Sequence, residues 1–272
     1  MTAAVTYPFP PVDFQVPPED AYGRYELLKG IGPDDVTASP YEQVSSAFAN
    51  LERRLGDFGM DFSHVVRTWL YGANILDWYP ELNRARRDFF VSRGVFDRYV
   101  PASTGIGWDS GTGARIVMGA FAVKAKTPSA IEVEALPSPL QCPALEYGSS
   151  FSRAAEVRTP AWRRVVVSGT ASLEPNSHAV AHVGDVDAQV DCALRAVAAI
   201  YESRGLSLAD VTGALVYLKD ENSRPAWERW LRRHPEFPRA HTRAIVADVC
   251  RNDWLFEIES DALEMKRPKG AA

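Results

Sequence analysis

The chain repeats itself, and the repeat limits what it can fold into more than any single motif does. Gln43 set against Gln189 carries an alignment without a gap to Tyr71 against Tyr217. It matches Val44 with Val190, Ala47 with Ala193, Gly59 with Gly205 and Val65 with Val211 on the way. Val44, Phe48, Leu51 and Leu55 lie at helical spacing, so a helix is expected over residues 41–58, ended by Gly59. A strand follows over 65–71 and a second helix over 80–93, whose counterpart in the later copy spans 223–233. Each second helix leads through a proline-marked loop to closing strands. A single match carries little weight, but helix, glycine stop and strand in one register require two copies of an α+β unit.

The remaining segments divide around those copies. Residues 1–40 carry prolines at 8, 10, 11, 17, 18, 33 and 40 and read as an N-terminal arm, with a short strand around 25–28. A degenerate first copy is expected over 41–137, with residues 94–113 as loop and strands over 115–124 and 131–136. Residues 137–150 connect the halves, and 138–272 form the second copy, opened by a strand and small-residue turn over 162–172.

Composition removes several function classes. A net charge of −5 and a pI near 5.6, without any basic run, argue against nucleic acid and anionic membranes as partners. No apolar stretch approaches membrane-spanning length, and the first residues lack the basic and apolar regions of a secretory signal, so a cytoplasmic protein is expected. Cys142, Cys192 and Cys250 are too few and too scattered for a disulfide framework. His178, His182, His234 and His241 have no metal-ligand spacing, and no phosphate-binding glycine loop or nucleophile elbow is present. Catalysis by protein groups alone, without cofactor or metal, is what this leaves.

Charge near the C-terminus suggests where. Residues 244–249 and 254–258 read as two strands joined by a polar turn at 251–253. Glu257 and Glu259 are two apart, so they share one face of a strand that Leu255, Phe256 and Ile258 make apolar. A buried carboxylate is costly unless it is paired or keeps its proton; the plainer alternative puts both glutamates at a solvated sheet edge. Arg243 opens the partner strand. The first copy has Met118, Gly119 and Ala120 in the region where the second has Glu257, which implies one working site, within residues 147–263.

Four motifs in order then point to a family. Ser168-Gly-Thr-Ala-Ser172, His182–Gln189, Val216-Tyr-Leu-Lys-Asp220 and Arg243 with Glu257-Ile-Glu259 resemble the motif series of the RidA (YjgF/YER057c/UK114) family. Adding Glu146-Tyr-Gly148, Phe151-Ser-Arg153, Ala247–Arg251 and Trp254-Leu255 narrows the resemblance to the chorismatases, two-copy relatives that cleave the enolpyruvyl ether of chorismate. Ser138-Pro-Leu-Gln141 stands where that family tends to have Asn-Pro-Arg-Gln.

The resemblance implies two RidA-like (chorismate-mutase-like) copies, each a mostly antiparallel sheet with two helices on one face. It implies a barrel-like homo-oligomer, a trimer, and a small anionic substrate, chorismate or similar. Its chemistry needs a neutral acid near the ether and cations for two carboxylates. Glu257 is the candidate proton donor, with Arg153 and Arg243 as carboxylate forks and Tyr147 as a phenolic donor. Ala171 and Cys250 stand at the pocket wall, Cys250 also in a candidate catalytic position. Main-chain N–H groups over 168–171 are expected to form an anion nest. An imine or enamine deaminase of the RidA type and a non-catalytic small-molecule binder are the alternatives.

Overall fold

The repeat appears in space as two units of identical topology. The computed structural model describes residues 18–266. The first unit runs β1 (Gly23–Ile31), α1 (Pro40–Gly56), β2 (Val65–Gly72), α2 (Tyr79–Ser92), β3 (Ala102–Gly107) and β4 (Ile116–Ala125). Two further strands, β5 (Glu132–Leu136) and β6 (Ala154–Arg158), lead into the second. That unit runs β7 (Trp162–Ala171), α3 (Val186–Glu202), β8 (Val211–Leu218), α4 (Arg224–Arg233), β9 (Thr242–Val246), β10 (Asp248–Val249) and β11 (Phe256–Met265). Strand order is β1-β4-β2-β3 in one and β7-β11-β8-β9 in the other. In both, the strand pair bridged by the second helix is parallel, as a helical crossover requires.

The matched glutamines show why the register is kept. Gln43 donates from Nε2 to the carbonyls of Val36 and Ala38, and its Oε1 accepts from the Arg115 N–H. Gln189 donates to the carbonyls of His182 and Asp253 and accepts from the Leu255 N–H. Each buried amide thus ties the first turn of its helix to the loop entering the closing strand, satisfying backbone groups that would otherwise be buried unpaired. Gly59 and Gly205 both sit in the left-handed region, at φ +65° and +67°, where the chain reverses into β2 and β8.

Several sequence expectations are corrected. The arm contains a full strand: residues 23–31 pair antiparallel with β4 and form the first unit's counterpart of β7, which the sequence had left without one. Within the expected loop 94–113 lies β3, whose Ala-Ser-Thr-Gly-Ile-Gly lacks the branched and aromatic run that marks a strand. Although it falls in the segment read as the first copy, β5 pairs with β6 in the second sheet. The strands around the 251–253 turn do not pair with each other. Instead β9 lies beside β8, β10 crosses to pair with β3 of the first unit, and β11 is central between β7 and β8.

Helices cover one face of each sheet, and the two sheets cover each other. One core packs α1 and α2 on β1, β2 and β4, and a second packs α3 and α4 on β7, β8 and β11. The third lies between the sheets, where Tyr25, Trp69, Tyr71 and Phe121 meet Trp162, Val166, Leu215 and Tyr217. A fully buried Phe or Leu contributes roughly 1.5–3 kcal/mol and larger rings bury more area, so this contact holds the units together. The sheet face opposite the helices, expected to be buried by closure or by partners, is buried between the two sheets of this chain. No helix among the described residues is long and apolar enough to cross a membrane.

Candidate active site between the two copies

Glu257 lies in the second residue of β11, paired with Ala171 on one side and Tyr217 on the other. Tyr217 and Leu215 face the sheet–sheet core, so Glu257 and Glu259 both point at the first unit. Glu257 is 4% exposed and Glu259 1%, which removes the solvated-edge reading. Room for the Glu257 carboxyl is made by Gly169: a Cβ there would stand 2.0 Å from Glu257 Oε1.

The two glutamates have different fates. Glu259 accepts from Arg67 Nη2 at 2.7 Å and Trp69 Nε1 at 2.9 Å, both from β2 of the first unit. Arg67 also binds Asp261 at 2.8 Å, and Arg164 binds Asp261 at 2.6 Å, so four buried charges compensate one another. Among the described residues Glu257 has no ion-pair partner. Burial, reinforced by the neighbouring Glu259 charge and opposed by Arg153, pushes its carboxyl up to about 8. At neutral pH it carries a proton. The first unit has no acid at the symmetry-related position: Val117 on β4 pairs with Tyr71 as Glu257 on β11 pairs with Tyr217.

A cavity of about 260 Å³ opens onto this carboxyl. From the second unit and the connector it is lined by Tyr147, Arg153, Ala171, Cys250 and Glu257, five of the six candidate positions. It is not confined to residues 147–263, however. Helix α2 supplies Tyr79, Asn83 and Arg86, and β3 supplies Ser103 and Gly105. The first unit is a wall of the site as well as a scaffold, because a cavity on a sheet face needs an opposite side.

Arg243 is the sixth position, and the structure places it elsewhere. It is exposed on edge strand β9, opposite Leu215, and does not line the cavity. β9 is separated from β11 by β8, so opening the strand before Glu257 in sequence does not bring it near in space. The equivalent position in the first unit is Thr104, which does reach the site: it accepts from the Gly169 N–H at 3.0 Å and from Arg67 at 3.2 Å. The expected nest over 168–171 is likewise absent. Those residues are strand, and the Ser168 and Gly169 N–H groups are used by the Arg153 carbonyl and Thr104.

Arg153 is 4% exposed and held by two hydrogen bonds to the Cys142 carbonyl, at 3.0 and 2.8 Å. Its guanidinium lies 5.6 Å from the Tyr147 ring centre and 5.4 Å from that of Phe151. Arg86 approaches Phe151 from the first unit, at 5.9 Å. Arg251, at the wall, lies 5.5 Å from Tyr147 and 4.8 Å from Trp254. Burial raises the Tyr147 hydroxyl, with Arg153 opposing, so it stays a hydrogen-bond donor. Burial and the Glu257 side chain push the Cys250 thiol up to about 12, so it is neutral and not a thiolate nucleophile.

Sequence reasoning missed Tyr79 and Arg86. Arg86 had a legible signal: it stands four residues after Leu82 and four before Phe90, on the buried stripe of α2. Among the described residues no cluster of His, Cys, Asp and Glu forms a metal site.

These features can be set beside known proteins. Residues 144–264 match the family described as Endoribonuclease L-PSP. A solved chorismatase structure superposes with a TM-score of 0.66 over 90% of this chain and 76% of its own, at 21% identity. A YjgF/YER057c/UK114 family member from Mycobacterium tuberculosis covers 48% of this chain at 24% identity and a TM-score of 0.37. The YjgF gene product from E. coli covers 49%, also at 24% identity, with a TM-score of 0.38. No curated protein sequence matches the chain. The second half therefore carries an Endoribonuclease L-PSP (RidA/YjgF) family domain, and the two-copy α+β chain has the fold of chorismatase.

Proposed function

We propose that the chain is a chorismatase-like enzyme, releasing pyruvate from chorismate with a hydroxybenzoate or dihydroxycyclohexadiene carboxylate as the ring product. The observation that carries this reading is a protonated, buried Glu257 in a cavity that also holds two buried guanidiniums, Arg86 and Arg153, and no ionised carboxylate of its own. Such a site suits an anion that reacts by accepting a proton. An enol ether is such a group: Glu257 gives its proton to the terminal methylene carbon, a C–H bond forms, and positive charge develops at the ether carbon. Water adds there, and the resulting hemiketal collapses with cleavage of the C–O bond to pyruvate and the ring alcohol, which is the dihydroxycyclohexadiene carboxylate; loss of one water from that alcohol gives a hydroxybenzoate.

General acid catalysis of this kind contributes about 10²–10⁴ in rate. Arg153 holds a substrate carboxylate by its planar fork, Tyr147 donates to it, and Ala171 and Cys250 form neutral walls. No step uses a cofactor. The test is incubation of the protein with chorismate, with pyruvate followed by a coupled lactate dehydrogenase assay and ring products by mass. Pyruvate release that Glu257→Gln abolishes supports the reading; no release from the unmodified protein overturns it.

A further inference from the structure

Four arginines among the described residues, Arg67, Arg86, Arg153 and Arg164, are buried, and they are compensated unequally; Arg153 is held by the Cys142 carbonyl. Arg67 and Arg164 each meet carboxylates, at 2.6–2.8 Å. Arg86, 3% exposed, meets none: among the described residues no acidic group lies within ion-pair distance of it. Its Nη2 donates to Asn83 Oδ1 at 2.6 Å, and its Nε is buried without a hydrogen-bond partner. Burying a guanidinium costs several kcal/mol unless a counter-charge and hydrogen bonds offset it. The cost shows in its acidity, since burial pulls the Arg86 guanidinium below its ordinary range.

An uncompensated cation lining a cavity is a place for an anion. We infer that Arg86, supplied by the first unit, anchors a ligand carboxylate on the α2 side of the cavity, in addition to the one that Arg153 holds. The ligand class is thus a compact dianion with two carboxylates on one small ring or short frame. Arg86 takes the part that the sequence assigned to Arg243. The geometry suits it. Phe151 stands beside both guanidiniums, at 5.9 Å from Arg86 and 5.4 Å from Arg153, and so spaces two anionic ends within one cavity. The inference rests on the proposed function only for the identity of the natural ligand.

The experiment compares binding of isophthalate and benzoate, two flat aromatic acids that differ by one carboxylate, by titration calorimetry. A hydrogen bond to a charged group contributes about 1.5–3 kcal/mol, so the unmodified protein should prefer isophthalate roughly 10–100-fold. Arg86→Met should abolish that preference while leaving benzoate affinity within about threefold, and should leave Tm equal or higher, because it removes a buried charge that no carboxylate among the described residues compensates. Arg86→Lys, which keeps the charge and loses the fork, should show an intermediate preference and serves if the methionine variant does not fold. A preference that is absent in the unmodified protein, or intact in either variant, overturns the inference. Failure of the two readings is separable. An Arg86-dependent preference without pyruvate release from chorismate sinks only the reaction, and pyruvate release without that preference sinks only the anchor.

Discussion

Arg67 of the first unit and Glu259 of the second meet at 2.7 Å with both side chains 1% exposed, two residues along β11 from Glu257. Glu259 sits on the same strand face as Glu257, where burial raises its carboxyl and the Arg67 charge opposes that rise. The Glu259 charge is the second cause, after burial, of the raised Glu257 acidity constant. Glu259→Gln should therefore move the alkaline limb of kcat/KM, which falls as Glu257 loses its proton near pH 8, toward lower pH. Arg67→Met strands a buried charge and should cost about 3–5 kcal/mol. The double variant should be more stable than the sum of the two losses implies, measurable by urea unfolding. A pH limb unmoved by Glu259→Gln would show that burial alone sets the acid.

Glu257→Gln should trade function for stability. The folded state keeps the proton up to about 8, against an ordinary value of 4.5, so between those pH values the folded protein binds more protons than the unfolded. Stability contributed by this group is fully present below pH 4.5 and is lost as pH rises toward 8, by an amount on the order of 4 kcal/mol. Glutamine does not titrate. Its Tm should match that of the unmodified protein near pH 4 and exceed it increasingly toward pH 8, while kcat falls by at least ~10². Equal Tm values across that range would mean that Glu257 is not protonated in the folded protein.

Local periodicity made the repeat legible, and the helices and the β2 and β8 strands fall where the pattern placed them. What stayed hidden was set by contacts distant in sequence. β3 has too many small residues to announce itself, yet pairs with β2 because α2 delivers it there. Glu257 could be singled out as a charge on an apolar strand. The first unit's share of its cavity could not, because Tyr79, Arg86 and Ser103 come from across an inter-unit interface that no strand pattern encodes. Arg243 failed for the complementary reason. Adjacency in sequence suggested a hairpin, and the parallel crossover of α4 put β9 at the sheet edge, two strands from the acid.

Gly169→Ala tests whether the close approach of β7 to the acid matters. Gly169 is not in the left-handed region, so alanine suits its backbone, but the new methyl would stand 2.0 Å from Glu257 Oε1 and 3.0 Å from Thr104 Cγ2. The carboxyl must swing away, and a misplacement of about 1 Å costs roughly 10²-fold in rate. The expected result is a folded protein, judged by circular dichroism, with kcat lowered to that extent. Full activity would mean that the proton is delivered from another carboxyl position.

Arg243→Ala separates the resemblance from the geometry. If this residue held a substrate carboxylate, as the motif order implies, its loss would weaken binding by the 1.5–3 kcal/mol of a charged hydrogen bond, about 10–100-fold in KM. The structure puts Arg243 on an exposed edge strand outside the cavity, with Thr104 of the first unit at the equivalent position by the acid. Exposed side chains away from a site change stability by less than about 0.5 kcal/mol. The variant should therefore keep KM for chorismate and Tm close to those of the unmodified protein, whereas Arg153→Ala should raise KM at least tenfold. A large rise in KM for Arg243→Ala that dilution of the protein also produces would place the residue at a contact between two chains, where β9 of one copy completes the cavity of another. A rise independent of dilution would return Arg243 to the cavity and refute the arrangement described.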